Sequence, residues 1–156
     1  MKYQVLEMVG ISGEFPVKQL HRLIESSSYA EKIITELKNE KLIRTHYRDR
    51  LRGYRLTKHA KELLLAQNMP RFHDYLTGNT ETNLIRSELP RRIRLHQKAE
   101  IYLTLLHANI PIFYDVKPNI FSRTCEADSS FIQDLPLFYS SREIKTLGYD
   151  TTKIRN

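Results

Sequence analysis

Eight of the 21 residues from Lys41 to Lys61, KLIRTHYRDRLRGYRLTKHAK, are lysine or arginine, and only Asp49 is acidic. This segment carries +7, residues 1–40 carry −1 and residues 62–156 carry +1, so the formal excess of +7 sits in one place. Cations at that density create a local field that polyanions feel, whereas a basic average spread over a chain mainly favours solubility. Arg44, Arg48, Arg50, Arg52 and Arg55 punctuate β-prone residues. Upstream, Ser27, Ser28, Tyr29, Lys32 and Thr35 are polar positions on a helical pattern whose apolar face is Ala30, Ile33, Ile34 and Leu37. Hydroxyls and amides at a helix start suit phosphate oxygens, and a short cationic and polar stripe suits base edges. The chemistry this set supports is recognition of double-stranded DNA.

Other chemistries are weaker. Glu100, Asp115, Asp134 and Glu143-Ile144-Lys145 faintly echo the acid, acid, E-x-K arrangement of a metal-dependent nuclease. However, Glu143 also fits a capping box opened by Ser140, and E-x-K belongs on a strand. His21, His46, His59, His73, His96 and His107 show no zinc-hydrolase spacing, and the five glycines form no phosphate loop. Cys125 stands alone beside Glu126, which excludes an internal disulfide and multi-cysteine metal sites and reads as an inert thiol. The expectation is no catalytic residue, no metal and no cofactor. Arg91, Arg94 and Lys98 form a second basic stripe, read equally well as a solvated face.

The elements that must position the basic set follow from periodicity. Residues 3–11 read as a short apolar helix broken near Gly13. Pro16 suits the first turn of a second helix through Val17, Leu20, Leu23 and Ile24. Ser28-Tyr29-Ala30-Glu31 fits a capping box for a third. Then come a strand at 42–47, a charged tip Arg48–Gly53 with a turn glycine, a strand at 54–56, and a helix capped by Thr57. Beyond Gln67-Asn68-Met69-Pro70 the pattern gives a helical turn at 71–76 and a short helix at 81–88 ending at Pro90. A longer helix follows through Ile93, Ile101 and Ala108, then a strand at 110–114 and a β-like run at 137–139. A capped helix opens at Ser140 and closes at Gly148.

Helix, helix, helix, hairpin, helix, with GYRLT-x-x-A-x-x-LL after Leu37 and Leu42-Ile43, resembles the winged helix-turn-helix superfamily over residues 3–66. Lys41 departs from that pattern, standing where many relatives place a glycine, and must therefore tolerate a left-handed turn. RLHQKAEIYLTLLHANIPIF followed by FYSSREIKTLG is similar to replication-relaxation-type proteins of Gram-positive mobile elements. In these a winged helix precedes a degenerate nuclease-like α/β domain that continues further. The resemblance implies a place in plasmid or transposon replication, transfer or local gene control.

The expected fold is mostly α with a small β-hairpin: a winged helix-turn-helix at 1–66 and a helical or α/β region at 67–156, possibly the front of something longer. Hydrophobic residues at 40% and charged residues at 28% provide for a core. The uncharged run 101–114 is too short to span a bilayer, and no leader pattern precedes Glu7. The function expected is a double-stranded DNA-binding protein of the cytoplasm, acting by occupancy as a transcriptional regulator or a replication and transfer accessory. The DNA-contacting residues would be Ser27, Ser28, Tyr29, Lys32, Thr35, Arg44, Arg48, Arg50, Arg52 and Arg55. A homodimer is expected, with Tyr102, Leu103, Leu106 and Ile110 as surplus apolar surface. The rivals are a mobile-element nuclease and a protein-interaction module without DNA.

Overall fold

The structure is a computed structural model that describes residues 1–78, 81–117, 136–141 and 143–145. The expectations for Cys125, Asp134, Gly148 and most of 119–136 lie outside these. Two compact units are formed, Met1–Thr104 and Leu105–Asn156, so the boundary expected at residue 66 falls inside the first.

Helix α1 (Lys2–Ser12) begins the first unit, and from Val5 to Ser12 every side chain is buried. That explains its mostly apolar character. Its one buried acid, Glu7, pairs with Arg71 at 2.7 Å. Gly13, at φ 83°, ends the helix, and its N–H returns to the Val9 carbonyl. Phe15–Pro16 is then a two-residue strand, β1, so Pro16 does not sit inside the second helix. That helix starts as a 3-10 turn at Val17–Gln19 and continues as α2 (Leu20–Leu23).

Helix α3 (Ser27–Asn39) buries Ala30, Ile33, Ile34 and Leu37, the face its periodicity predicts. Its cap is Ser26, whose hydroxyl accepts the Tyr29 N–H, rather than Ser28. Three consecutive serines each offer a capping oxygen, and the residue in extended conformation takes the role. At the other end Lys41 adopts φ 55°, the left-handed residue its position demanded. Leu42 N–H reaches Leu37 O and Lys41 N–H reaches Lys38 O, both at 2.9 Å, which satisfies two terminal carbonyls.

Strands β2 (Ile43–Arg48) and β3 (Leu51–Leu56) form an antiparallel hairpin, with β1 on the far side of β3. The hairpin turn is Asp49-Arg50, both at positive φ (52° and 59°), a two-residue connection whose twist matches the strands. Gly53 is not in the turn. It pairs with His46 inside β3, and a Cβ there would lie 2.5 Å from Glu14 Oε1. Its role is close approach rather than turn geometry.

Helices α4 (Lys58–Gln67), α5 (Met69–Leu76), α6 (Asn83–Arg86) and α7 (Leu89–His107) follow. Thr57 caps α4 as expected, Asn68 caps α5, and Pro90 opens α7 rather than closing α6. Ala60, Leu64 and Phe72 join α1 in the core. Tyr102 and Leu103 are 2% and 0% exposed, so they are core and not the surplus surface assigned to a dimer.

The strand expected at 110–114 is absent. Asn109 turns left-handed at φ 55°, Ile110 N–H returns to Leu105 O, and a 3-10 turn follows at Tyr114–Val116. Pro111 also removes a ladder donor. The 137–139 run forms no strand either. The Ser140 capping box does form: Glu143 N–H donates to Ser140 Oγ, and Ser140 N–H donates to the Glu143 carboxylate. The molecule is mostly helical with a small three-stranded antiparallel sheet. No helix among the described residues is long and apolar enough to cross a membrane.

Candidate nucleic-acid interface

Strand alternation divides the hairpin arginines. Ile43, Thr45 and Tyr47 face the same side as their partners Leu56, Tyr54 and Arg52, while Arg44, His46 and Arg48 face the other side with Arg55, Gly53 and Leu51. The first side looks toward α3. Arg52 and Tyr54 line a groove of about 500 Å³ together with Ser27, Glu31, Thr35 and Lys38. Lys38 Nζ lies 5.5 Å from the centre of the Tyr54 ring. The Tyr54 hydroxyl is held above its ordinary pKa, chiefly by burial.

On α3, the 100° step between residues places Ser28, Lys32, Thr35 and Asn39 opposite the buried face, and all four are exposed. The amides of Ser27 and Ser28 belong to the first turn, where a helix has no partners of its own for N–H groups. Thr35 Oγ1 donates to the Glu31 carbonyl at 2.8 Å. Tyr29 is exposed on the flank. On that flank Lys2 binds both Glu36, at 2.7 Å, and Glu40, at 2.9 Å, so two of the acids beside the stripe have a cation on them. Hydrogen bonding from Lys2 lowers the Glu36 pKa, and the same contacts raise that of Lys2.

At the hairpin tip Arg48 and Arg50 are exposed, with Arg48 loosely paired to Asp49 at 3.5 Å. Arg44 and Arg55 are elsewhere. Both lie on the reverse side, and Arg55 is buried with its guanidinium on Glu14 at 2.7 Å. Arg55 is therefore committed to Glu14, and neither it nor Arg44 can join the α3 groove. The cause is parity: two residues directly opposite each other on a hairpin must share a face.

Glu14 anchors that reverse face. Its carboxylate also receives Arg92 at 2.6 Å and His96 at 2.8 Å, from α7. The side chains of Glu14 and Arg92 are 0% exposed. Burial pushes the Glu14 pKa upward, but hydrogen bonds from His96, Arg92 and Arg55 outweigh it and bring it to about 2. Arg92 also donates to the carbonyls of Arg48, His46 and Leu51, so α7 grips the hairpin backbone near its tip. The pKa of His46 is lowered, first by burial and then by Arg55 and Arg92.

The stripe Arg91, Arg94 and Lys98 does not form a continuous cationic face. Arg91 pairs with Glu81 at 2.9 Å, and Lys98 lies over the rings of Tyr75 and Tyr102. In the second unit Glu143, besides capping its helix, pairs with nearly buried Lys117. Its carboxylate is thereby engaged twice, and it stands on a helix.

The DNA-contacting set expected from the sequence leaves out Tyr47, Lys38 and Asn39. Tyr47 is 68% exposed on the α3 side of the hairpin, next to Arg52. The signal was available: Tyr47 is in phase with Thr45 and Ile43. Asn39 lies seven residues after Lys32, about two helical turns, and so falls on the same stripe. Comparison with protein-family models, with curated proteins and with solved structures returns no match to this chain.

Proposed function

We propose that the chain binds double-stranded DNA, with the first unit acting as a winged helix-turn-helix. Helix α3 would enter the major groove, and the β2–β3 hairpin would be the wing. One observation carries the reading: Arg52 of the hairpin and Thr35 and Lys38 of α3 line one groove, beside an exposed helical stripe. Lys32 and Asn39 suit base edges, guanine and adenine respectively, and the Thr35 methyl suits a thymine methyl. Arg48 and Arg50 suit the phosphate backbone or a narrow minor groove. The protein would act by occupancy in the cytoplasm, as a transcriptional regulator or a replication and transfer accessory of a mobile element. Two copies on paired half-sites would multiply the discrimination of one short helix. Metal-dependent cleavage is not favoured, because Glu143 already serves its cap and Lys117.

The test is fluorescence anisotropy with the duplex flanking its own gene, across a salt series. Arg48, Arg50 and Arg52 each neutralising one phosphate give a log–log slope of about −2.7. Replacing Arg48, Arg50 and Arg52 together by Ala weakens all sequences alike and flattens the slope by about 2.7, whereas Lys32→Ala changes preference among sites. A flat salt response removes the proposal.

A further inference from the structure

The reverse side of the hairpin holds a recess that the DNA reading does not use. It has a volume of about 340 Å³ and is bounded by α1, β2, β3, α4, α5 and α6, within the first unit. Five cationic residues line it, Arg44, Arg55, Lys58, Lys61 and Arg86, and no carboxylate does. Arg55 is neutralised from behind by Glu14, and Lys58 leans outward to Glu62 at 3.7 Å. The side chains of Arg44, Lys61 and Arg86 make no hydrogen bond or ion pair among the described residues.

Like charges gathered without partners destabilise one another, and a fold spends charge in this way at sites where an anion completes them. Lys61 is held below its ordinary pKa by burial and by the fields of Arg86 and Arg44. Arg86 is shifted the same way by burial and by Arg55, with the field of Glu81 opposing. We infer that this recess is a binding site for a small phosphate-bearing ligand carrying two or more negative charges. Guanidinium forks fit phosphate oxygens in pairs, and three cations held in no ion pair call for more than one anionic charge. Leu56, Leu76 and Tyr75 give the recess an apolar wall, and its volume falls at the lower end for small-molecule sites. Duplex phosphate is the other source of the same chemistry, but Arg44 and Arg55 stand on the side of the hairpin away from the α3 groove.

Isothermal titration of the full chain with inorganic pyrophosphate, at matched ionic strength, tests the site without using DNA. Saturable one-site binding is expected, weakened at least tenfold in the Lys61→Gln, Arg86→Gln double variant. The same double variant should retain duplex affinity and keep or raise the thermal midpoint, because it removes mutual repulsion. Arg44→Gln, an exposed position that leaves the fold intact, should weaken pyrophosphate binding several-fold. Absence of saturable binding overturns the proposal, as does equal binding by the variants. A fall in duplex affinity matching the loss for pyrophosphate would also overturn it, assigning these cations to the DNA backbone.

Discussion

The two faces of the β2–β3 hairpin carry the same residue type to opposite ends. On the reverse face the guanidinium of Arg55 is buried against Glu14, which is itself held by Arg92 and His96. On the α3 face Arg52 is exposed and lines an open groove. In sequence the two arginines are three residues apart and indistinguishable, so charge density alone cannot say which cations are structural. The difference teaches that strand parity, once the turn is fixed, decides whether an arginine holds the fold together or remains free for a ligand.

The largest way to break this asymmetry is Glu14→Gln. The amide keeps the shape but leaves two buried guanidinium groups without a counter-charge, and breaking a buried pair from one side costs about 3–5 kcal/mol. Urea denaturation should show that loss, whereas Arg52→Ala should stay within about 0.5 kcal/mol of wild type. Equal effects at the two positions would refute the division of roles.

Acid titration sharpens the same contrast. Glu14 sits at about 2 in the folded chain against an ordinary 4.5. Between these values the unfolded chain binds the extra proton, so stability falls as pH drops from about 4.5 toward 2. The contribution is fully present above 4.5 and amounts to about 3 kcal/mol from 1.36 kcal/mol per unit. Thermal midpoints measured down that range should fall steeply in wild type and much less in Glu14→Gln. Parallel curves would mean that the acid sensitivity arises at other carboxylates.

Much of the first 66 residues was legible because its signals are local. The apolar face of α3, the Thr57 cap and the left-handed turn at Lys41 each need only a few neighbouring residues to be read. The Ser140–Glu143 capping box was legible for the same reason. The Glu14 network was not, since Arg92 and His96 lie 78 and 82 residues away in sequence and nothing local links them. Hairpin parity was also hidden. Gly53 drew the expected turn toward itself, while the true turn uses Asp49-Arg50, two non-glycine residues at positive φ. Parity is what separates Arg44 and Arg55 from the α3 groove and brings Tyr47 to its side. At 110–114 the apolar run looked like a strand, but a strand needs a partner, and pairing is not written in one segment.

Gly53 offers a third test, of intermediate size. Gly53→Ala places a methyl group 2.5 Å from Glu14 Oε1, where the carboxylate is held by Arg55, Arg92 and His96 and cannot swing aside. Overpacking of that kind costs about 1–3 kcal/mol. The loss should largely vanish in a Glu14→Gln background, where the pocket has already loosened, and a double-mutant cycle reads this directly. Strict additivity would show that the glycine serves backbone geometry alone.

The smallest effect is expected on the α3 face. Thr45 Oγ1 is buried there without a hydrogen-bond partner, between Ile43 and Tyr47 and opposite Tyr54. An unsatisfied buried hydroxyl has lost its water and gained nothing in exchange. Thr45→Val keeps the branched shape that suits a strand and removes that desolvation cost, so it should stabilise the chain by about 0.5–1 kcal/mol. Chemical denaturation resolves a change of that size when wild type and variant share the same slope. Because Thr45 pairs with Tyr54 and does not line the groove, duplex affinity should not move with it. A drop in affinity would mean that the hydroxyl is kept for a polar contact formed only in the bound state, and would extend the candidate DNA surface inward from Arg52.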